Sequence, residues 1–182
     1  MQTTRVFLGS SEELREDRLA LSDFFNRLNN AYVPHGRCFQ LVIWEHESIA
    51  IAAQEAGKQA EYDELVRSCD VSLFLFHRRC GGYTLEEVET ALDESKRTGG
   101  VRPLIFTWIR KLLPGERTMP ELERFRARID AGELKLPYRE YDDVRSVELA
   151  LLQEFAPFGA TIAPRRVGDF VYVDDEAVID FG

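Results

Sequence analysis

The feature that most constrains the fold is the apolar run VSLFLF at Val71–Phe76, which a glycine-bearing turn and a helical pattern follow. Such a run of β-favouring residues without polar alternation is typical of a strand buried on both faces in a parallel sheet. Beyond the turn, Leu85, Val88 and Leu92 repeat at helical spacing, which predicts an amphipathic helix opened by Thr84. Open α/β sheets bind ligands at the edge formed by such a strand end and helix start.

Strand and helix patterns alternate along most of the chain. The other strand patterns lie at residues 5–8, 39–44, 102–108 and 138–141, and the other helical patterns at 11–28, 59–68, 121–131 and from Asp142 or Asp143 to about Phe155. This alternation predicts an α/β fold of the flavodoxin-like, doubly wound kind, with a five-stranded parallel sheet in the order 2-1-3-4-5. The switch point then lies between the first and third strands, so we expect the loops at 9–11 and 77–79 to meet at one crevice.

The alternation stops near Pro157, and residues 169–181 predict a C-terminal β-hairpin around an acidic turn. We therefore expect one doubly wound domain over residues 1–156 and a C-terminal tail over 157–182 that would lead to further domains in a longer chain. A single domain also fits the length of 182 residues.

Composition excludes several classes of partner. Acidic residues number 32 against 23 basic ones, a net charge of −9 that argues against non-specific nucleic-acid binding. No apolar stretch approaches the ~20 residues of a membrane helix, and the N-terminus has too short an apolar segment for a signal peptide. The three cysteines show no paired spacing and the three histidines no metal-ligand spacing. We expect a cytoplasmic protein without membrane, nucleic-acid or metal partners.

Two carboxylates, Glu86 and Glu87, lie at the start of the helix after the central strand. A carboxylate there can bind ribose hydroxyls, and it can stabilise or attack an oxocarbenium-like centre when an N-glycosidic bond breaks. The run from Thr84 to Glu87 also has the spacing of a capping box, and acidic residues favour helix N-termini. On the pattern alone, capping is the commoner role.

The end of the first strand carries Gly9, Ser10 and Ser11. Backbone N–H groups at a helix start can receive a phosphate, and serine hydroxyls add donors. The alternative is capping, since Ser10 and Glu13 have the spacing of a capping box. Neither GxGxxG nor a Walker sequence is present.

The end of the third strand carries His77, Arg78 and Arg79. Guanidinium groups suit pyrophosphate oxygens, although salt bridges to nearby carboxylates are an equal alternative. The aromatic residues Trp44 and Tyr83 can stack on a base or on nicotinamide, and aromatic residues at strand ends more often simply pack.

Together these residues resemble TIR-like (Toll/interleukin-1 receptor) domains, most closely an uncharacterised bacterial branch found N-terminal to NTPase or tetratricopeptide modules. The similar segments are VFLGSS at 6–11, ELREDR at 13–18, EYDELVRSCDV at 61–71 and EVETAL at 87–92, within a match that covers about residues 5–155. The resemblance implies a flavodoxin-like fold that forms homo-oligomers through TIR-type contacts, next to linked sensor or repeat domains.

In active members, the resemblance implies cleavage of NAD, as substrate and not cofactor, at the nicotinamide–ribose bond. Their essential glutamate lies in a Glu-apolar-x-x-Ala pattern, which here falls on Glu87, and the loop at 9–11 would line the same pocket. Two family features are replaced. Residues 45–48 (EHES) stand where an Arg-Asp-x-x-Pro-Gly loop is usual, and residues 82–84 (GYT) stand where a Trp-Cys pair often precedes the glutamate.

Three functions follow as hypotheses. The first is an NAD glycohydrolase effector in bacterial defence or signalling that becomes active on assembly. The second is a non-catalytic self-association or adaptor module with the same fold. The third is a nucleoside deoxyribosyltransferase-like enzyme, because those enzymes also place a nucleophilic glutamate after a flavodoxin-like third strand.

Overall fold

Five parallel strands form the central sheet of this computed structural model, which describes residues 1–43 and 63–182. The strands are β1 (Gln2–Ser10), β2 (Arg37–Val42), β3 (Val71–Phe76), β4 (Leu104–Arg110) and β5 (Arg139–Tyr141). Their order is β2-β1-β3-β4-β5, which confirms the flavodoxin-like sheet predicted from the sequence. Every residue of β3 is buried, and its bounds are those of the apolar run.

Helices cover both faces of the sheet. They are α1 (Arg15–Tyr32), α2 (Gly82–Arg97), α3 (Pro120–Asp130) and α4 (Val144–Glu154), with short 3-10 turns at Glu12–Leu14, Val33–His35 and Ala156–Phe158. Val6 and Leu8 of β1 pack with α1 and α4 on one face. Phe7 packs with α2 and α3 on the other. The domain is therefore doubly wound, as predicted.

The ends of two helices follow the sequence signals. The Asp143 carboxylate accepts a hydrogen bond from the backbone N–H of Arg145 at 2.9 Å and so caps α4. Helix α2 ends at Arg97, and Gly99 and Gly100 follow with φ angles of 68° and 83°. These left-handed conformations are the ones that favour glycine after a helix.

Neither predicted capping box forms. Helix α2 begins at Gly82, two residues before Thr84, because the chain turns into the helix directly after the extended Gly81. Glu87 is therefore the sixth helical residue and lies beyond the capping positions. After β1, a 3-10 turn at Glu12–Leu14 comes before α1, and no side-chain cap involving Ser10 is present.

A three-stranded antiparallel sheet follows the domain, with β6 (Arg165–Val167), β7 (Phe170–Val173) and β8 (Glu176–Asp180) in that order. Strands β7 and β8 form the predicted hairpin, and β6 adds a third strand that the sequence analysis did not predict. Buried side chains of β7 and β8, including Val171 and Val178, belong to the same hydrophobic cluster as α1 and α4. The C-terminal sheet therefore packs on that face of the domain.

Some sequence predictions lie outside the described residues. These are Trp44 at the end of the second predicted strand, the replaced loop at 45–48, and the first part of the helix predicted over 59–68, of which 63–67 is helical. Within the described part of the chain, no helix combines the length and apolar character needed to cross a membrane.

Candidate functional site

The carboxyl group of Glu87 lies against the backbone of Gly9 near the carboxyl end of β1. A β-carbon at position 9 would lie 2.8 Å from Glu87 Oε2 and 2.9 Å from Cδ1 of Phe74. Only glycine admits so close an approach to the backbone. Gly9 pairs with Phe74 across β1 and β3, so this contact lies at the switch point of the sheet. The structure thus brings together two of the residues that the sequence predicted for one site.

Glu87 has the electrostatics of an enclosed acid. Its residue is only 4% exposed, and burial, assisted by the negative charges of Asp63 and Glu86, raises the pKa of Glu87 to about 8. Among the described residues, none donates a hydrogen bond to its carboxyl group. Asp63 is held close by the Thr90 hydroxyl, which donates to Asp63 Oδ1 at 3.0 Å. At pH 7 the Glu87 carboxyl is therefore mostly protonated, and a nearby positive charge would ionise it.

Ser10 and Ser11 make internal contacts. Arg18 Nη1 donates to Ser10 Oγ and to the Ser11 carbonyl, each at 2.9 Å. Because successive strand residues point to opposite faces, Ser10 lies on the α1 face and Gly9 on the α2 face. The Ser11 hydroxyl donates to Glu13 Oε1 at 3.3 Å. A role of either serine in binding substrate stays a prediction.

Glu13 joins the loops that follow β1 and β3. Its carboxylate accepts hydrogen bonds from the backbone N–H of Arg78 at 2.8 Å, from that of Arg79 at 3.1 Å and from Arg78 Nε at 3.0 Å. Burial raises the pKa of Glu13, but the hydrogen bonds from the Arg78 and Arg79 backbones bring the net pKa below its ordinary value. The loops that follow β1 and β3 therefore meet, as expected. The residue that joins them is Glu13, for which the sequence predicted only a role in helix capping. The Arg78 guanidinium forms the salt bridge that the sequence left open as an alternative, and phosphate binding by Arg78 or Arg79 stays a prediction.

His77 connects the end of β3 to the segment between β4 and α3. Its Nε2 lies 2.9 Å from Glu116 Oε2, and its Nδ1 lies 3.3 Å from the carbonyl of Arg110. Both partners are acceptors, so each ring nitrogen of His77 faces an oxygen that can accept a hydrogen bond. A hydrogen bond from the Leu113 backbone and the charge of His77 lower the pKa of Glu116. His77 therefore links the end of β3 to the segment that follows β4. Its role in binding substrate stays a prediction.

The last two residues predicted for the site are the aromatic residues Trp44 and Tyr83. Trp44 lies outside the described residues, and Tyr83 is the second residue of α2. Within residues 1–43 and 63–182, no group of three or more His, Cys, Asp or Glu side chains is arranged to hold a metal ion.

A buried charged cluster around Asp17 was missed by the sequence analysis. Tyr141 Oη donates to Asp17 Oδ2 at 2.6 Å, and Arg110 Nη1 lies 3.1 Å from Asp17 Oδ1. The signal was present in the sequence, because position 17 lies three residues after Leu14 and four before Leu21. Both leucines are buried in the core, Leu14 just before α1 and Leu21 within it, so Asp17 also points inward.

Comparisons with known proteins give only distant structural similarity. No protein-family model and no curated protein matches the chain. One similar solved chain comes from the RPS4 and RRS1 TIR domain heterodimer, with a TM-score of 0.43, 12% identity and coverage of 86% of this chain and 97% of that one. Another is a fragment of a putative lipoprotein from Peptoclostridium difficile 630, with a TM-score of 0.36, 13% identity and coverage of 85% and 97%. Values this low establish neither family nor function.

Proposed function

We propose that this chain is a TIR-like effector domain that cleaves the nicotinamide–ribose bond of NAD, with Glu87 as the carboxylate at the reacting centre. The observation that carries the proposal is the buried Glu87 carboxyl against Gly9 at the switch point of β1 and β3. Doubly wound sheets bind nucleotides at this place. Since α2 begins at Gly82, helix capping does not explain the acid. An acid buried to this degree is costly to ionise in the folded protein, which supports a functional reason for its presence.

The charge of the substrate suits this acid. The nicotinamide ring of NAD is positively charged, and a cation beside Glu87 would lower the pKa of its carboxyl and ionise it. Cleavage of the C1′–N1 bond leaves its electron pair on nicotinamide and the positive charge on the ribose as an oxocarbenium ion. A carboxylate in a water-poor site stabilises that cation. Water then adds to C1′ and loses a proton, giving ADP-ribose.

The test is nicotinamide release from NAD by concentrated or scaffold-clustered protein, measured by chromatography. Wild type and Glu86→Gln should release nicotinamide, and Glu87→Gln should not. Glu86 is the matched control because it is exposed and adjacent, so its substitution makes the same change from carboxyl to amide and leaves the buried acid in place. Clustered wild type that releases no nicotinamide would overturn the proposal. Base exchange between nucleosides would instead select a deoxyribosyltransferase activity.

An exposed apolar segment favours a second candidate function, a non-catalytic module that assembles with copies of itself. Leu112, Leu113 and Met119, between β4 and α3, are 41%, 58% and 42% exposed. Contiguous exposed apolar side chains often mark protein–protein contacts. Sedimentation velocity should then show oligomers of the wild type that Leu113→Ser converts to monomers. Oligomers without nicotinamide release would favour this function over the first.

A further inference from the structure

A cleft of about 470 Å³ lies between α1, α4 and β8. It is on the α1 face of the sheet, whereas Glu87 is on the α2 face. Its walls include the apolar side chains Ala20, Phe24, Val144, Val178 and Ile179. The volume falls in the range that binds small organic molecules, and such sites are common where two structural layers meet.

The cleft is strongly acidic. Seven carboxylates and three guanidinium groups line it. The three arginines are already paired, Arg27 with Asp23 at 2.8 Å, Arg110 with Asp17 at 3.1 Å and Arg145 with Asp143 at 2.9 Å. Of the other four carboxylates, Asp142 pairs with Lys111 at 2.7 Å and Glu16 with Arg15 at 3.7 Å. Glu148 and Asp180 remain and give the cleft an excess of negative charge, which attracts cations.

Glu148 is the carboxylate that this cleft leaves without a contact partner. It lines the cleft, is only 5% exposed, and has no hydrogen bond or ion pair within the part of the chain that the structure describes. Burial, together with the charge of Asp143, raises the pKa of Glu148 to about 7, although the charges of Arg145 and Arg27 oppose that rise. A largely buried acid is costly to ionise, and a cation placed beside it would offset that cost.

We propose that this cleft binds a small organic cation, an alkylammonium or alkylguanidinium, whose charged head pairs with Glu148 and whose alkyl chain packs against the partly exposed side chains of Ala20 and Val144. The apolar walls favour an organic cation over a metal ion, because hard cations need several oxygen ligands. In residues 1–43 and 63–182, no group of three His, Cys, Asp or Glu side chains is arranged to hold a metal. The proposal does not depend on NAD cleavage, because its residues lie on the other face of the sheet.

Isothermal titration of the full chain with spermidine and with agmatine, at about 0.15 M salt so that distant charges are screened, tests the proposal. At least one of the two amines should bind the wild type. Glu148→Gln should weaken that binding about tenfold or more, which corresponds to about 1.4 kcal/mol. Glu16→Gln, which removes an exposed carboxylate of the same cleft, should change the affinity by less than about threefold.

Three results would overturn the proposal. They are that neither amine binds, that Glu148→Gln and Glu16→Gln weaken amine binding equally, and that equimolar Mg²⁺ displaces the amine. Ala20→Leu is a second variant that fills the cleft and keeps every carboxylate. It should abolish binding, and retained binding would contradict the site. This variant decides the question if circular dichroism shows that Glu148→Gln does not fold.

Discussion

Glu87 Oε2 lies where a β-carbon at position 9 would come within 2.8 Å of it, so Gly9 and Glu87 act as one structural unit. The ring of Phe74 closes the same space from β3, since its Cδ1 would lie 2.9 Å from that β-carbon. The inward position of the Glu87 carboxyl therefore requires glycine at position 9. This dependence links the fold to the proposed chemistry, because the glycine that admits the carboxyl also lies at the switch point.

Gly9→Ala should destabilise the protein by about 1–3 kcal/mol, because the added methyl group overpacks the contact with Glu87 and Phe74. Urea unfolding measures the loss. Gly81→Ala is the matched control, since a β-carbon there meets nothing closer than Thr84 Oγ1 at 3.8 Å. In a Glu87→Ala background the cost of Gly9→Ala should shrink. An unchanged cost in that background would show that the two residues are not coupled.

Stability should depend on pH through Glu87. Its folded pKa of about 8 lies above the ordinary 4.5, so the folded state holds a proton that the unfolded chain releases above pH 4.5. The contribution is therefore complete below pH 4.5 and is lost as pH rises towards 8, by about 1.4 kcal/mol per pH unit. Urea unfolding of wild type and Glu87→Gln from pH 5 to 8 measures this. The raised pKa of Glu148 also lowers stability as pH rises, but it does so equally in wild type and in Glu87→Gln. Stability curves of the two proteins that run parallel across this pH range would therefore contradict a buried, protonated Glu87.

Glu13→Ala should loosen the loop after β3, because it removes the acceptor of the Arg78 and Arg79 backbone N–H groups. We expect a loss of about 1–3 kcal/mol in the free energy of unfolding and faster amide hydrogen exchange at these two residues. The exposed Glu12 provides the control, Glu12→Ala. Unchanged exchange at Arg78 and Arg79 in the Glu13 variant would mean that the loop is held by other contacts.

Tyr141→Phe should cost about 1–3 kcal/mol, because it removes the hydroxyl that donates to the buried carboxylate of Asp17 at 2.6 Å. Thermal and urea unfolding measure the change. Tyr138→Phe is the comparison, since the Tyr138 hydroxyl is only half-buried and its contact with Arg126 Nε is 3.4 Å long. Equal losses in the two variants would argue against a strong Tyr141–Asp17 bond.

Much of the fold was predictable because local patterns determine it. Strand β3 was predicted to the residue, since its six buried positions form one apolar run. Helix α2 was predicted to begin at Thr84, where the sequence has capping-box spacing, but it begins two residues earlier at Gly82. The extended backbone of Gly81 sets that start, and no side-chain pattern indicates it. Contacts such as Glu13 with Arg78, 65 residues apart, depend on loop backbone geometry that no local pattern encodes.

The candidate site was predictable in part. Glu87 and Gly9 were predicted for one site, and the structure places them in contact.

Glu148, in the cleft on the other face of the sheet, was not predicted, although the sequence contains a signal for it. It lies four residues after Val144 and three before Leu151, which places a charged residue on the apolar face of α4. A carboxylate at such a position is as informative as one at a helix start, because burial makes its charge costly.

The pH dependence of kcat/KM for nicotinamide release tests the central claim most directly, because it reports the ionisation of essential groups in the free enzyme. If the Glu87 carboxylate is the reactive form, kcat/KM of clustered protein should rise about tenfold per pH unit up to about pH 8 and then level off. Glu86→Gln should retain the rise, and Glu87→Gln should be inactive throughout. A flat profile between pH 6 and 9, or activity in Glu87→Gln, would contradict the assignment of Glu87.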